Sequence, residues 1–535
     1  MRTSSTAVDR TDCRRHQWAL LFTVSTGLFV LTIDHSVLYT ALPTLTRELA
    51  ASAIESLWIV NAYPLAIAGL LLATGTLGDR VGHRRMFTLG LWVFGLASVL
   101  GAFSPNPELL IAARAGLGIG GAMMMPATLA LISRTFTVEK ERNVAIAVWG
   151  MVSMIGAALG PVIGGLLLAH FWWGSVFLVN VPFVVLALVL VPLVAGPNDP
   201  EPHAPWDLAS SVVAALTLCG LVLAIKEAAK ADPQWLVAAV AALVCLVAGT
   251  LFVRRQRRLP VPLLDFTVFR NPVFSAGVLA AAMSMFALAG IDLLAVQRFQ
   301  LVSGMTPLQA GLLVTVVAVA CIPPALAGGA TLHRIGYRPL ITGGLVLAAT
   351  GTGLLAVSIR MSGAWVGVAL VILGLGIGAV MSVSSTAIMN SAPRHRAGMA
   401  SSVEEISYEF GSLLAVSILG SLMHLLYATG VRLPAAAPAA AGESLSTALA
   451  VAGDDAATVA AARSAFDTTF TVILLLAALL LLLAACVTAP LLRRSAGRAG
   501  GVSPMDLVAP EAPDAGEVPH AGAAPGEGRV HTGTV

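Results

Sequence analysis

Charge is what this chain has least of. Asp, Glu, Lys and Arg make up 11% of its 535 residues, against a hydrophobic share of 57%, and a chain so poor in solvating groups cannot present a soluble surface to water. Lysine is scarcer still: Lys140, Lys226 and Lys230 complete the set, and none sits in a Gly-x-x-x-x-Gly-Lys-Ser/Thr run, which excludes a phosphate-cradling loop of the ATPase kind. Of five cysteines, Cys13 lies in the N-terminal tail and Cys219, Cys245, Cys321 and Cys486 lie inside apolar stretches. That placement offers neither a disulfide framework nor a clustered metal site. A net charge of +3 without a basic face gives no footprint for nucleic acid.

What the chain has in abundance is long apolar runs. At about 20 apolar residues per membrane crossing, fourteen spans can be placed, the first from Gln17 and the last ending near residue 491. The fold class is therefore an all-α membrane protein of 14 transmembrane helices. The first run follows Arg14 and Arg15 as a signal peptide would, but its length and its embedded Asp34 mark it as a retained span. With the N-terminus placed inside, most of the 31 Lys and Arg fall in cytoplasmic segments, so both tails are expected in the cytoplasm by the positive-inside rule.

A duplication organises the spans. The run Gly75-Thr76-Leu77-Gly78-Asp79-Arg80-Val81-Gly82-His83-Arg84-Arg85 after span 2 reappears, worn, as Gly329-Ala330-Thr331-Leu332-His333-Arg334-Ile335-Gly336-Tyr337-Arg338, and Gly116-Leu117-Gly118-Ile119-Gly120-Gly121 in span 4 is echoed by Gly374-Leu375-Gly376-Ile377-Gly378-Ala379 in span 12. Spans 1–6 then correspond to spans 9–14, with spans 7 and 8 as an inserted hairpin. Two parallel halves of this kind hold a substrate between them near the midplane. The expected organisation is a cytoplasmic N-tail (1–16), an N-terminal six-helix half (17–195) and the hairpin (207–253). A basic cytoplasmic linker (254–272), a C-terminal six-helix half (273–491) with an external loop at 428–467, and a disordered cytoplasmic C-tail (492–535) complete it.

Buried charge points to chemistry. Asp34 lies deep in span 1, where a carboxylate costs roughly 2.5–3.5 kcal/mol even on the lenient insertion scale. Such a group is favoured neutral, by taking a proton or attracting a cation; if the two compete for one carboxylate, loading either expels the other, which is antiport in its simplest form. Glu404, Glu405 and Glu409 open span 13; Glu405 and Glu409 share a helix face while Glu404 is rotated away, so the facing pair forms a second site for protons or cations. Asp292 near the outer end of span 9 and Asn61 in span 2 are vestibule candidates. Arg114, alone among Lys and Arg inside a span, must pair with an acid or face a wet cavity.

Two further motifs are mechanical. In the turn, Gly75 and Gly78 permit close packing, Gly82 the reversal, and Asp79 can accept bonds from a neighbouring helix start, while Arg80, Arg84 and Arg85 hold the loop inside. A bond network formed in one state alone would make this turn a conformational latch, asymmetric because His333 replaces the acid in the second copy. In span 5, Gly156, Gly160 and Gly164 form a flat strip for close helix approach beside Gly165, and Pro161 frees a carbonyl and invites a bend.

Together these residues resemble the major facilitator superfamily in its fourteen-span drug:proton antiporter branch: Gly75 to Arg85 the loop motif between spans 2 and 3, Arg114 to Ala122 the span-4 motif, Gly156 to Gly165 the antiporter motif. Within that branch Asp34 in its Ile-Asp-His-Ser setting, Leu57 to Tyr63, and Val403 to Ser412 are similar to the quaternary ammonium and methyl viologen exporters. The resemblance implies proton-driven export of lipophilic drugs or antibiotics, cations foremost, across the cytoplasmic membrane. It implies Asp34, Glu405 and Glu409 in proton or substrate handling, Arg114 in the proton pathway, a functional monomer in the lipid bilayer, no cofactor or metal, and no enzymatic activity. Departures stand beside it: Asn61 where relatives often place Asp, Leu117 for the Gln of the span-4 motif, His83 for an Arg, and Pro323-Pro324 in span 10 without the acid some relatives use for divalent cations. The alternative is an exporter or importer of a neutral or anionic metabolite in the same superfamily.

Overall fold

The computed structural model describes residues 5–200, 207–228, 233–259, 262, 264–358, 363–391, 397–434, 437–453 and 455–496. Lipid leaves no water for backbone amides, so a spanning chain must close its hydrogen bonds within each segment. Fourteen helices do so: α1 (Ser5–Glu48), α2 (Ala53–Val81), α3 (His83–Ala102), α4 (Pro107–Thr135), α5 (Glu139–His170), α6 (Asn180–Val194, after a one-turn helix Ser175–Leu178), α7 (Leu208–Ala228), α8 (Trp235–Gln256), α9 (Pro272–Gln297), α10 (Pro307–Ile335), α11 (Tyr337–Ser358), α12 (Gly363–Ser391), α13 (Ala397–Gly430) and α14 (Ala456–Ala496). Each contains or adjoins a stretch long and apolar enough to cross a membrane, and the protein is a multi-pass membrane protein.

Sequence sets the helix starts. Ser52 and Glu55 form a reciprocal capping box on α2, Thr306 and Gln309 do the same on α10, and Asn106 and Asn271 accept from the first turns of α4 and α9, each followed by Pro at the first helical position. Helices also outrun the apolar stretches by which they were read. The last begins at Ala456, inside the span expected for the external loop, because its Ala-rich first turns carry Arg463 and Asp467 and are helical without being apolar. That loop also holds a short helix, Leu445–Val451, whose N-cap is Ser444. The tail expected to be disordered from residue 492 begins instead as helix, since α14 runs on to Ala496 through Leu492, Arg493 and Arg494; the rest of that tail lies outside the described residues.

The duplication is visible in backbone geometry. Gly82 and Gly336 both take positive φ (96° and 83°), and each closes the preceding helix with its N–H on a carbonyl four residues back, Gly78 and Leu332 at 2.8 Å; only glycine enters that region freely. The echoed glycine runs, however, are displaced by two residues relative to the sequence match. Gly118 abuts Tyr63 of α2 and Gly120 abuts Gly90 and Phe94 of α3, while Gly374 abuts Val317 of α10 and Gly376 abuts Gly344 and Ala348 of α11. The contacts therefore pair Gly118 with Gly374 and Gly120 with Gly376. Slid by two, the runs keep Gly118 opposite Gly374 and Gly120 opposite Gly376 but lose the match of the residues between them, so residue identity favours one register and the facing helices another.

Among α1–α6, α4 packs on α2 and α3, and α1 on α5 and α6; among α9–α14, α12 packs on α10 and α11, and α9 on α13 and α14. Two seams join the sets, α5 with α10 and α2 with α13. Hydrogen bonds between the two sets lie towards the end where α1 finishes and α2 starts: across the seams Asn61 Nδ2 donates to Ser417 Oγ at 2.9 Å and Thr315 Oγ1 to the Ala158 carbonyl at 3.1 Å, and beside them Gln300 Nε2, just after α9, donates to the Thr40 carbonyl of α1 at 2.9 Å. The inserted pair sits outside, α7 resting on α2 and α13. Helix α8 buries Ala238, Ala241 and Ala248 and turns Leu236, Leu243 and Leu246 outward, as a lipid-facing helix does.

Candidate functional site

Asp34 stands midway along α1 and is 2% exposed. Both its oxygens are engaged. Arg114 of α4 places Nη1 on Oδ2 in a charge-assisted bond, and Asn180, the first residue of α6, donates Nδ2 to Oδ1 at 2.9 Å. Arg114 is 1% exposed and fully used: its Nε donates to the Ile59 carbonyl of α2 at 3.2 Å, and its guanidinium lies 4.7 Å from the centroid of the Tyr63 ring, where a cation is attracted to the ring face. Tyr63 in turn donates to the Leu31 carbonyl at 3.4 Å. Five helices thus converge on one buried carboxylate, for Asn180 also reaches Ser98 Oγ of α3 at 3.3 Å. Of the two options the sequence left to Arg114, an acid or a wet cavity, it takes the acid, Asp34.

His35 lies beside this cluster with no hydrogen bond to it among the described residues. Its Nε2 lies 3.3 Å from the Tyr39 hydroxyl, which is itself 3.5 Å from Ser412 Oγ on α13, and its ring meets Tyr63 edge-on at 5.7 Å. Across that layer α13 presents its glutamates. Glu409 is 5% exposed and its Oε2 has no hydrogen-bond partner; Glu405 is half-buried, and Glu404, also half-buried, accepts from the Tyr408 hydroxyl at 3.1 Å. No hydrogen bond or ion pair among the described residues joins Asp34 to Glu405 or Glu409, so the acids form two groups, one on each set of helices. Asp292 of α9 is half-buried with Oδ1 unpartnered, and Asn61, completely buried, likewise leaves Oδ1 free while its amide nitrogen binds Ser417. An unpaired buried carboxyl oxygen is an acceptor awaiting a proton or a cation.

The glycine strip of α5 faces two partners. Gly156 abuts Thr32 and Gly160 abuts Ser36 of α1, Gly164 meets Val37 of α1, Gly165 abuts Leu308 of α10, and the carbonyl of Pro161 abuts Gly311 of α10. Helix α5 is therefore the piece against which both sets of helices bear closely.

In the turn, Gly78 and Gly75 part company. A methyl at Gly78 would sit 2.9 Å from His83 Nδ1, whereas at Gly75 it would meet Pro126 at an ordinary 3.7 Å, so close packing belongs to Gly78 alone. Asp79, in the last turn of α2, lies 3.0 Å from the side-chain Nε2 of His83, the first residue of α3. Arg80 is exposed. The remaining bonds run to the segment after α6: Arg84 donates to the Gly196 carbonyl at 3.1 Å, the Arg85 amide to Asn198 Oδ1 at 3.1 Å, and Asn198 Nδ2 to the Val81 carbonyl at 2.8 Å. Asp199 continues the strap to Arg134 at the end of α4 at 3.1 Å. These bonds tie the turn within its own set of helices.

Sequence reading missed Asn180, Ser98 and Asn198. For Asn180 there was a signal, a lone amide opening an otherwise apolar run; what it reaches lies 146 residues away, and nothing local encodes that.

Two sets of six membrane helices with a further pair outside them, an acid–arginine pair buried in one set and unpaired acids in the other, define a membrane carrier. The chain matches the Major Facilitator Superfamily over residues 24–416, and it belongs to that family. It is 40% identical over 443 residues to the multidrug efflux pump LfrA of Mycolicibacterium smegmatis, spanning 82% of this chain and 88% of that protein. It is 39% identical over 427 residues to the methyl viologen resistance protein SmvA of Salmonella typhimurium, spanning 78% and 85%. In three dimensions it resembles a bacterial homolog of the human lysosomal transporter Spinster in an inward-facing, occupied conformation, with a TM-score of 0.61 at 18% identity over 88% of this chain and 96% of that one. The family and these relatives are transporters, not enzymes.

Proposed function

We propose that this chain is a proton-coupled antiporter that exports lipophilic drugs or antibiotics, cations foremost, across the cytoplasmic membrane, working as a monomer with both termini in the cytoplasm. The observation that carries the reading is the division of acids: Asp34 held by Arg114 and Asn180 in α1–α6, and Glu409 unpaired on α13 beside the Tyr39 and Tyr63 layer. In this reading Asp34 carries the proton and Glu409, aided by Glu405, receives the cation. The two acids compete through Arg114: a proton on Asp34 frees the guanidinium, whose field then disfavours a cation nearby, and release of that proton restores the pair. The halves rock about the α5–α10 and α2–α13 seams. That two relatives bear the names of a multidrug efflux pump and a methyl viologen resistance protein supports drugs as the class. While Asp34 is ionised, Arg114 is paired with it and offers no free cation to an anionic solute, which weighs against the metabolite alternative.

Each charge moved across the membrane is worth about 2.3 kcal/mol per 100 mV, so the proton stoichiometry fixes how steep a drug gradient can be held. Everted vesicles energised by respiration are expected to accumulate ethidium in an uncoupler-sensitive way, and Asp34→Asn to abolish it. Accumulation that needs ATP and survives collapse of the proton gradient would sink the reading.

A further inference from the structure

Asn180 has one end in use and the other idle. Its Nδ2 donates to Asp34 Oδ1 at 2.9 Å and to Ser98 Oγ at 3.3 Å, while its Oδ1, also buried, has no partner. The residue is 1% exposed, and an acceptor left idle at such depth is a cost that a purely structural amide would avoid. Around Asp34 the ionisable groups are Arg114 from α4, Tyr63 from α2, His35 and Tyr39 on α1 itself, and Glu405 and Glu409 from α13. Helix α6 and the part of α3 around Ser98 carry none. The side of Asp34 turned away from Arg114 is thus faced by a neutral amide and a hydroxyl.

We infer that Asn180 is a two-way hydrogen-bond partner that holds Asp34 in both protonation states and follows the transported proton by turning its amide over. The inference rests on the proposed role of Asp34 as proton carrier. With Asp34 ionised, Arg114 donates to Oδ2 and Asn180 donates to Oδ1. When a proton binds Oδ1 the carboxyl becomes a donor on that side, and an N–H facing it is left pointing at an O–H. Rotation of the amide about its last torsion exchanges two nearly isosteric ends. It brings the idle Oδ1 within reach of the new O–H and of Ser98, whose hydroxyl can donate as readily as accept. One amide oxygen with two lone pairs then takes both bonds. Only the proton from solution is added, and it leaves by the reverse turn. Asn180 is a positioning residue in this account: it acts through Asp34 and touches no substrate.

The test uses the full chain, reconstituted. In infrared difference spectra recorded across a pH change, the unsubstituted protein is expected to show an asparagine amide carbonyl band that rises and falls with the Asp34 acid band, and both are expected to vanish in Asp34→Asn. In Asn180→Leu the acid band should move to the higher frequency of a carboxylic acid without an acceptor. In Asn180→Asp, where two carboxyls share one proton, the acid limb of ethidium transport against cytoplasmic-side pH in everted vesicles should move alkaline by about 1–2 pH units. The inference is overturned if no amide band accompanies the acid band in the unsubstituted protein, or if the acid band of Asn180→Leu and the limb of Asn180→Asp stay where they were while Asp34→Asn abolishes transport; the antiport reading then stands. Uncoupler-sensitive transport in Asp34→Asn removes the reading itself, and the inference with it.

Discussion

Removing the guanidinium of Arg114 tests the cluster most sharply. Arg114→Met keeps the unbranched stem as far as the position of Nε and takes away three interactions at once: the ion pair with Asp34, the bond to the Ile59 carbonyl and the seat against Tyr63. Asp34 is then a carboxylate at 2% exposure with Asn180 as its one remaining donor, and breaking a buried pair from one side costs about 3–5 kcal/mol. Arg114→Lys keeps the charge near Asp34 but lacks the fork that also spans to Ile59; losing one bond of that kind costs about 1–2 kcal/mol. Removing both charges in Arg114→Met with Asp34→Leu leaves no orphaned ion, and stability should return to within about 1–2 kcal/mol of the starting protein, the residue of the loss being Asn180 without its acceptor. The assay is thermal unfolding of the parent and the three variants, purified in one detergent. The expected order of stability places Arg114→Met last. The reasoning is refuted if Arg114→Met unfolds no earlier than Arg114→Lys, or if the double variant is less stable than Arg114→Met.

Other expectations follow from single contacts. Gly160→Ala drives a methyl into Ser36 and should cost about 1–3 kcal/mol and most of the transport, whereas Gly164→Ala, 3.2 Å from Val37 Cγ1, should cost under about 1 kcal/mol; equal losses in thermal unfolding would contradict the packing. Gly82→Ala meets both a φ of 96° and the side chain of Asn198, so adding Asn198→Ala should recover part of its thermal shift; no recovery means the strap does not confine the turn. Asp207, ahead of α7, is held down to about 2 from an ordinary 3.8, chiefly by its hydrogen bond from Arg255. A depressed carboxylate contributes stability above its unfolded value that is lost as pH falls towards 2, about 1 kcal/mol after solvent screening. Asp207→Asn should therefore lower the unfolding temperature at pH 7 and narrow the gap from the parent by pH 2.

The helices were legible because lipid reduces the problem to one variable: a run of apolar residues has no alternative to helix, and caps such as Ser52 with Glu55 mark where it begins. The repeated turn was legible for a related reason, since a positive φ demands glycine at both Gly82 and Gly336. What composition could not carry was register and reach. The glycine runs of α4 and α12 match best in sequence at one register, and Tyr63, Phe94, Val317 and Ala348 on facing helices place them two residues away from it. The ends of α14 were hidden because helix and hydropathy separate outside the membrane. In the site, Asp34 and Arg114 were visible as charges that needed a reason, yet their pairing, the third member Asn180 and the clasp of Asn198 on the turn are contacts between distant segments. Expecting Asp34 to meet proton and cation alike was reasonable for a lone carboxylate; with both its oxygens engaged and Glu409 unpaired across the layer, the proposed roles divide between the two.

That separation bears on how such a protein changes under selection. Asp34, Arg114 and Asn180 lie on α1, α4 and α6, each fixed by the others, while the unpaired Glu409 lies on α13 among side chains with fewer mutual obligations. In the proposed division of roles, substitutions along the α13 face alter which molecules are carried without disturbing the bonds of Asp34 to Arg114 and Asn180. A lineage meeting a new antibiotic thus has a part of the molecule open to variation beside a part that is not, and a broadened range of compounds need not come at the expense of coupling.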